Sequence, residues 1–260
     1  MTSSAETAAP ARWQSVGPLD VEALAKARMQ TINLVQWLAR IANSYVAAGG
    51  AEERVLLAFR PADAAFFTKP FAGNLSLELR LPTLEMQFHE SGKAVPHIFN
   101  PEERSPAEAE AWLLVELLHR GVDRAKFSKK LPYNVPGLMS GDAEDYSPQS
   151  CQPALMQLQA WLANAATVLD ATARASGADT VDIVCWPQTL TLSAMSNGGS
   201  RRADYGFTPG DAQVPEPYFY RNRSAAKEKA PSKAKLTAPK LLAENDPAAA
   251  AVAFMTSTSG

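Results

Sequence analysis

Apolar and polar residues alternate most regularly in the first third of the chain. Every second residue over 75–81 is leucine, with serine, glutamate and arginine between them, and the alternation resumes over 84–89 after Pro82. A period of two predicts strands with one buried and one solvated face. The Glu-Ser-Gly-Lys sequence at 90–93 predicts a hairpin turn, with 94–99 as the returning strand. Consecutive hairpins indicate an antiparallel sheet.

Three stretches have the period of a helix instead. The first runs from Asp20, a suitable N-cap, to about Ala48 before a Gly-Gly pair. The second begins at Ser105-Pro106-Ala107-Glu108, a capping box with proline at the first helical position, and ends near Gly121. The third spans about 149–175.

Short apolar runs bounded by turn residues predict the remaining strands. These runs are residues 55–60, 65–71, 181–186, 189–195, 202–207 and 218–220. Residues 122–147 have no clean period and predict a long covering loop, a kind of segment that is often functional or mobile. The pattern as a whole predicts an α+β fold, with an antiparallel sheet covered by about three helices in a single domain over 19–222.

Composition predicts that both ends of the chain are disordered. Residues 1–18 are rich in Ala, Ser, Thr and Pro, and residues 223–260 in Ala, Lys and Pro. Within the C-terminal tail, Asp246 can cap a short helix over 247–254. From Arg221 onward the charge is about +4, which leaves about −6 for the body of the protein, from a net charge of −2.

Charge and composition exclude several classes of function. A net charge of −2 does not indicate nucleic-acid or anionic-membrane binding, and the lysines of the tail would give only non-specific contact with nucleic acid. The N-terminus lacks a signal-peptide pattern, and no apolar run reaches the length of a membrane helix. The two cysteines, Cys151 and Cys185, are isolated and predict buried, reduced thiols. These features predict a cytoplasmic protein without a membrane partner.

Motifs for phosphate binding and nucleophilic catalysis are missing from the sequence. It has neither GxxxxGK[ST] nor GxGxxG, and Gly92-Lys93 lies in the predicted hairpin turn. Residues 137–141 resemble a GxSxG elbow, but Ser140 is one position late and no strand precedes it. Cys185 lies on an apolar strand, where a reactive thiolate is not expected.

The three histidines do not form a recognisable metal motif. Glu116 and His119 have the Glu-x-x-His spacing of di-iron bundles, but such a site needs a second pair, and neither His89 nor His97 supplies one. His119 is interpreted as a late-helix residue favourable to the helix dipole, and His89 as a solvated strand residue. His97, between Pro96 and Ile98, is the least explained of the three, and a structural or ligand-supporting role is favoured over a role as a metal ligand. The sequence therefore predicts neither a metal site nor a cofactor.

The predicted strands after residue 185 contain the densest mix of aromatic and charged residues. Aromatic walls with a few charged groups are typical of small-molecule pockets, and also of the end of a sheet that packs on helices. A carboxylate among aromatic rings can acquire a raised pKa and serve as acid or base. The candidate ligand-binding residues are Trp186, Asp204, Tyr205, Asp211, Glu216, Tyr218 and Tyr220.

The same stretch resembles a bacterial family of domains of unknown function. The resemblance is carried by Trp186-Pro187, by Tyr205-Gly206-Phe207-Thr208-Pro209-Gly210-Asp211 and by Glu216-Pro217-Tyr218-Phe219-Tyr220, and would cover about residues 20–222. Relatives often have His and Phe-Asp after the Trp-Pro pair, where this chain has Gln188-Thr189-Leu190-Thr191. The resemblance implies a domain boundary and no particular activity.

Two functional hypotheses follow from these patterns. The first is a small-molecule-binding protein or metal-independent enzyme that uses the aromatic and acidic residues near the C-terminal strands. The second is a non-catalytic interaction or scaffold protein whose basic C-terminal tail docks on a protein partner, with 221–239 as a linker and apolar residues after it as the contact.

Overall fold

The computed structural model describes residues 13–47, 49–196, 201–222 and 233–257. Over these ranges it has six α-helices and ten β-strands. The helices are α1 (Val21–Tyr45), α2 (Ala51–Arg54), α3 (Pro106–His119), α4 (Gln152–Ala175), α5 (Ala238–Leu242) and α6 (Pro247–Thr256). The strands are β1 (Leu57–Arg60), β2 (Ala65–Phe67), β3 (Leu75–Arg80), β4 (Glu85–Glu90), β5 (Lys93–Ala94), β6 (Val181–Trp186), β7 (Thr191–Ser196), β8 (Arg201–Thr208), β9 (Tyr218–Asn222) and β10 (Lys233–Thr237).

All ten strands form one open antiparallel sheet, in the order β10-β9-β8-β7-β6-β1-β2-β3-β4-β5. Each half of the sheet is a series of consecutive hairpins, and the two halves meet where Leu57 of β1 pairs with Cys185 of β6. The predicted α+β class and the antiparallel pairing are therefore confirmed. The prediction of about three helices is too low because α2 and α5 have no clear helical period. Helix α6 matches the short helix predicted after Asp246, but that helix was assigned to a disordered tail and not to the folded domain.

A single cluster of buried apolar residues joins the long helices to both halves of the sheet. Helix α4 packs on β6, β7 and β8, and α1 packs on α4 and β3. Phe207 of β8 stacks on Trp161 of α4, with ring centroids 6.1 Å apart, and contacts Phe219 of β9 at 5.1 Å. Aromatic pairs at these distances add to the stability that comes from burial alone.

The helix starts follow the predicted caps. Asp20 Oδ1 accepts the amide of Ala23 at 3.0 Å, and Ser105 and Glu108 form the reciprocal capping box at the start of α3. Asp246 likewise accepts the amide of Ala249 at 3.0 Å at the start of α6. None of the helices in the described ranges combines the length and the apolar content that crossing a bilayer requires.

The C-terminal segment contradicts the prediction of a disordered tail. Strand β10 extends the sheet beside β9, and α5 and α6 pack against β10, β9 and α4. Leu241, Ala251 and Met255 are buried in the common core. Although the segment has too few apolar residues to fold alone, the body of the protein supplies the surface that buries them. Residues 223–232 lie outside the described residues.

The end of the predicted disordered N-terminal segment is also attached to the fold. Trp13 contacts Trp161 edge-on at 6.0 Å, and Gln14 exchanges two hydrogen bonds with the Asn164 side chain at 2.7 and 2.9 Å. Residues 13–18 therefore belong to the folded part, whereas residues 1–12 lie outside the described residues.

The second face of the sheet is less solvated than its alternation predicted. Glu78 is only 2% exposed and accepts hydrogen bonds from Arg80 at 3.1 Å. His89 Nε2 lies 2.5 Å from Glu78 Oε2, and its ring packs edge-on against Phe67. The interpretation of His89 as a solvated residue is therefore wrong, because its cross-strand contact with Glu78 and its packing on Phe67 hold the ring against the sheet.

Residues 122–147 form the predicted covering loop, and in the structure this covering segment lies along α1. It contains one short 3-10 turn, Arg124–Lys126, and side-chain hydrogen bonds connect it to α1 at several points along the helix. Asn43 donates to the Lys130 carbonyl at 2.9 Å, and Tyr133 donates to Gln36 Oε1 at 2.9 Å. The Met139 amide donates to Asn33 Oδ1 of α1 at 2.8 Å. These bonds replace the regular secondary structure that the segment lacks.

Candidate functional site

Three of the seven predicted ligand-binding residues come together beside β9. The Tyr218 hydroxyl donates to Asp211 Oδ2 at 2.5 Å, and the rings of Tyr218 and Tyr220 meet edge-on at 6.4 Å. Lys235 of β10 places its ammonium group 4.8 Å from the centre of the Tyr218 ring. Asp211 also accepts the amides of Gln213 and Val214 at 2.8 Å, which fixes the turn before β9.

The other predicted residues lie elsewhere. Trp186 of β6 is on the same face of the sheet as Tyr218 of β9. Strands β7 and β8 lie between them, each with a threonine at that level, so the two residues are about 14 Å apart at normal strand spacing. Tyr205 points to the opposite, helix-covered face because it is two residues from Phe207. Asp204 is exposed, and Glu216 takes no part in the hydrogen bonds of Asp211.

Tyr218 and Tyr220 are closely packed on their own sheet. They are 5% and 4% exposed, and a Cβ atom at Gly206 would lie 2.5 Å from the Tyr220 hydroxyl and 2.6 Å from the Leu192 carbonyl oxygen. Glycine at 206 therefore makes room for the tyrosine ring. This packing leaves the two rings little surface for a ligand.

The carboxylate of Asp211 makes the free energy of unfolding depend on pH in the acidic range. Burial by itself would raise its pKa, but hydrogen bonds from Tyr218, Val214 and Gln213 outweigh burial and hold the pKa below the ordinary 3.8. The carboxylate therefore contributes stability that is present above about pH 4 and is lost as pH falls through the folded pKa. We expect Asp211→Asn to flatten the pH dependence of urea unfolding below about pH 4. An unchanged slope would contradict this assignment.

A different cluster, which the sequence did not predict, combines two histidines with a carboxylate. His97 Nδ1 lies 3.3 Å and His119 Nδ1 3.9 Å from the same oxygen, Oε1 of Glu116. One ligand atom from each of the three side chains lies within 4.8 Å of the other two. We call this group the His–Glu–His cluster.

The fold brings His97 to α3 through a short excursion of the chain. The Val95 amide bonds the Phe88 carbonyl, and Phe99 pairs with Met86, so both ends of the excursion stay on β4. Between them His97 has a φ of 73°, the left-handed conformation that most side chains avoid. This conformation turns the chain back towards the sheet.

Aromatic packing fixes the rotation of α3, and with it the position of Glu116. The Trp112 ring packs against Phe88 at 5.6 Å and Phe99 at 5.5 Å. Glu116 lies one turn further along the same face of α3, and His119 follows three residues later. Both side chains are thereby held at the end of α3 that lies beside His97.

The cluster is buried at its carboxylate and open at its imidazoles. The Glu116 side chain is 3% exposed, whereas those of His97 and His119 are 65% and 56% exposed. Arg120 donates to Glu116 Oε2 at 2.7 Å, which leaves Oε1 facing the histidines, and Glu90 lies 3.3 Å from Arg120. With neutral imidazoles, two carboxylates against one guanidinium leave one net negative charge, which favours a cation.

The distances fit a divalent transition metal after small side-chain movements. Ligand atoms about 2.0–2.1 Å from a tetrahedral zinc ion lie about 3.4 Å from one another. The two distances to Glu116 Oε1, 3.3 and 3.9 Å, are near that value, and exposed imidazoles are free to close the rest. Two histidines and one glutamate form the ligand set of zinc sites that keep a fourth position open.

A groove of about 520 Å³ runs beside this cluster, between α3 and residues 98–104. Its wall includes Ile98, which follows His97, and Trp112, one turn before Glu116. At the other end Arg104 and Glu108 form an ion pair of 2.6 Å. The groove therefore has apolar residues at Ile98 and Trp112, close in sequence to the cluster, and a charged pair at Arg104 and Glu108. His97, Glu116 and His119 themselves are not among the residues that line it.

Sequence reasoning found part of this cluster and missed the rest. The sequence shows the Glu-x-x-His spacing of Glu116 and His119, but it lacks the second pair of the same kind that a di-iron site needs. His97 joins through a backbone conformation for which the sequence has no periodic signal. Its position beside Pro96, without an apolar pattern to explain it, was the one available hint.

Comparisons of the chain with protein-family models, with curated proteins and with solved structures give no match.

Proposed function

We propose that the protein binds a divalent transition-metal ion, with zinc as the best fit, through His97, Glu116 and His119. The observation that carries the proposal is the convergence of two imidazole nitrogens on one buried carboxylate oxygen, at 3.3 and 3.9 Å. Arg120 supports it by holding the other oxygen of Glu116, which fixes the direction in which the free oxygen points.

We further propose that this metal centre serves a small molecule in the adjoining groove. A zinc ion with three protein ligands polarises the water or substrate that takes its fourth position. Trp112 and Phe99 would contact an apolar part of that molecule, and the exposed side of the histidines gives it access. This proposal keeps small-molecule binding as the function but replaces the metal-independent site near the C-terminal strands.

We expect the full chain, freed of metal with a chelator, to bind one zinc ion per molecule in competition with a chromophoric indicator. His119→Ala and His97→Ala each remove one of three ligands and are expected to weaken zinc binding by at least about 100-fold. His89→Gln is the matched control, since His89 contacts Glu78 and lies outside the cluster. Equal zinc affinity in wild type, His97→Ala and His119→Ala would overturn the proposal.

The Asp211–Tyr218–Lys235 group supports a second candidate, a site where a small polar ligand would contact the partly exposed Asp211 and Lys235, since the tyrosine rings themselves are buried. Its support is the short hydrogen bond of 2.5 Å together with the lysine over the ring. Burial, and then the hydrogen bond to Asp211, raise the pKa of Tyr218, so the phenol stays protonated and acts as a hydrogen-bond donor. A ligand that shifts the melting temperature of wild type, but not of Tyr218→Phe, would support this candidate.

The hypothesis of a scaffold protein with a free docking tail has to be revised, because residues 233–257 pack on the protein's own β9 and α4. A partner would have to displace that segment or bind its outer side, where Leu242 is 38% exposed. The bacterial family of unknown function and the cytoplasmic location remain proposals. Their support is the set of C-terminal motifs and the free, buried state of Cys151 and Cys185.

A further inference from the structure

Arg40 is a half-buried cation on α1 without a counterion in the described part of the chain. Its guanidinium lies 4.3 Å from the centre of the Trp37 ring, and its Nε atom is buried without a hydrogen-bond partner. Within the described residues no carboxylate lies within 4.0 Å of Arg40. A buried N–H donor without an acceptor costs free energy, so such a group usually has a partner.

Among the described residues, the groups around Arg40 add a second hydrogen-bond donor and no unpaired carboxylate. Tyr146 accepts the indole N–H of Trp37 at 2.9 Å, and its own hydroxyl proton has no acceptor among the described residues. Tyr133 uses its proton on Gln36. Tyr146, Glu110 and Tyr133 interact electrostatically with Arg40, and burial outweighs them in lowering its pKa. Arg40 and the Tyr146 hydroxyl are therefore two donors, both in contact with Trp37, that have no anionic partner within hydrogen-bonding distance in the described part of the chain.

The net positive charge around Arg40 also favours binding of an anion. Glu110 of α3 is paired with Lys129 of the covering segment at 2.9 Å. Arg40, Lys129 and Glu110 together carry one net positive charge. A water molecule would satisfy hydrogen bonds but would leave that charge unneutralised, whereas an oxyanion satisfies both.

We propose that Arg40 and the Tyr146 hydroxyl bind the oxyanion group of a small metabolite, a carboxylate or phosphate, beneath the covering segment. The planar guanidinium offers paired donors that match either group, and stacking on Trp37 holds its plane. Asn43 donates a hydrogen bond to the covering segment and Gln36 accepts one from it, on either side of Arg40, so this segment forms the edge of the site. The site is separate from the His–Glu–His cluster and does not depend on it.

Isothermal titration of the full chain with inorganic phosphate and with acetate, each at constant ionic strength set by chloride, tests the proposal. We expect saturable binding of at least one of the two anions, weakened about 100-fold in Arg40→Met because both the charge and the paired donors are lost. Arg124→Met is the matched control, since Arg124 is an exposed arginine of the covering segment, and it should bind as wild type does.

Two results would overturn the proposal. One is the absence of saturable binding of both anions by the wild type. The other is equal affinity in wild type and a folded Arg40→Met variant. If Arg40→Met does not fold, Arg40→Lys keeps the charge and the apolar stem but loses the paired geometry, and is expected to bind about tenfold more weakly. Unchanged affinity in Arg40→Lys would then contradict the assigned geometry.

Discussion

Replacing Glu116 with alanine is expected to destabilise the metal-free protein by about 3 kcal/mol. The substitution leaves the Arg120 side chain, which is 9% exposed, without its closest partner. Glu90 is an incomplete substitute, since it lies 3.3 Å from Arg120 Nε, without a proper hydrogen bond, and is itself 55% exposed. The effect is therefore expected at the lower end of the range for breaking a buried ion pair. Urea unfolding in the presence of a chelator measures it.

Glu116→Gln separates the two roles of this residue. Its amide oxygen can still accept the hydrogen bond from Arg120, so we expect a smaller loss of stability than with alanine, about 1–2 kcal/mol. Added zinc should stabilise the wild type against unfolding and should stabilise Glu116→Gln much less, since a neutral amide is a poor metal ligand. Equal stabilisation of both proteins by zinc would place the metal elsewhere.

Replacing Trp161 with alanine is expected to cost about 3–5 kcal/mol, the range for large aromatic residues in cores. Trp161 is 1% exposed and joins three parts of the chain. Its ring stacks on Phe207 of β8 and accepts the edge of Trp13, which anchors the N-terminal residues. The cavity would remove both contacts, so we expect a lower urea midpoint and faster proteolysis before residue 21.

Trp161→Phe is the control for this prediction. A phenyl ring can keep the stacking on Phe207 while it leaves a smaller cavity, so the expected loss falls to about 1–2 kcal/mol. If alanine and phenylalanine cost the same, the stacking would contribute little to stability and the contact with Trp13 would account for the effect.

The parts of the fold that sequence predicted are those with a strong local signal. The leucine alternation over 75–81 and the capping box at Ser105 fixed strands and helix starts, because both depend on neighbours in sequence. The C-terminal segment was mispredicted because its lysines and alanines dominate the composition. Leu241 and Met255 become core residues only when α4 and β9 already exist as a surface.

The candidate sites depended on long-range geometry that the sequence does not display. Residues 205 and 207 could be assigned to one face of a strand, but the pairing register that separates Tyr205 from Tyr218 is set by the turn before β9. His97 reaches Glu116 through a single left-handed residue. No local sequence pattern marks Arg40, whose surroundings depend on the covering segment that lies along its side of α1.

The meeting of β1 and β6 bears on the order in which this protein folds. Within β1–β5 and within β6–β10 each strand pairs with its neighbour in sequence, so either half can form through short loop closures. Pairing of Leu57 with Cys185 instead requires closing the loop that contains α3 and α4. Because such closure is slow and is rewarded only by contacts made afterwards, the central seam is the natural rate-limiting step of folding.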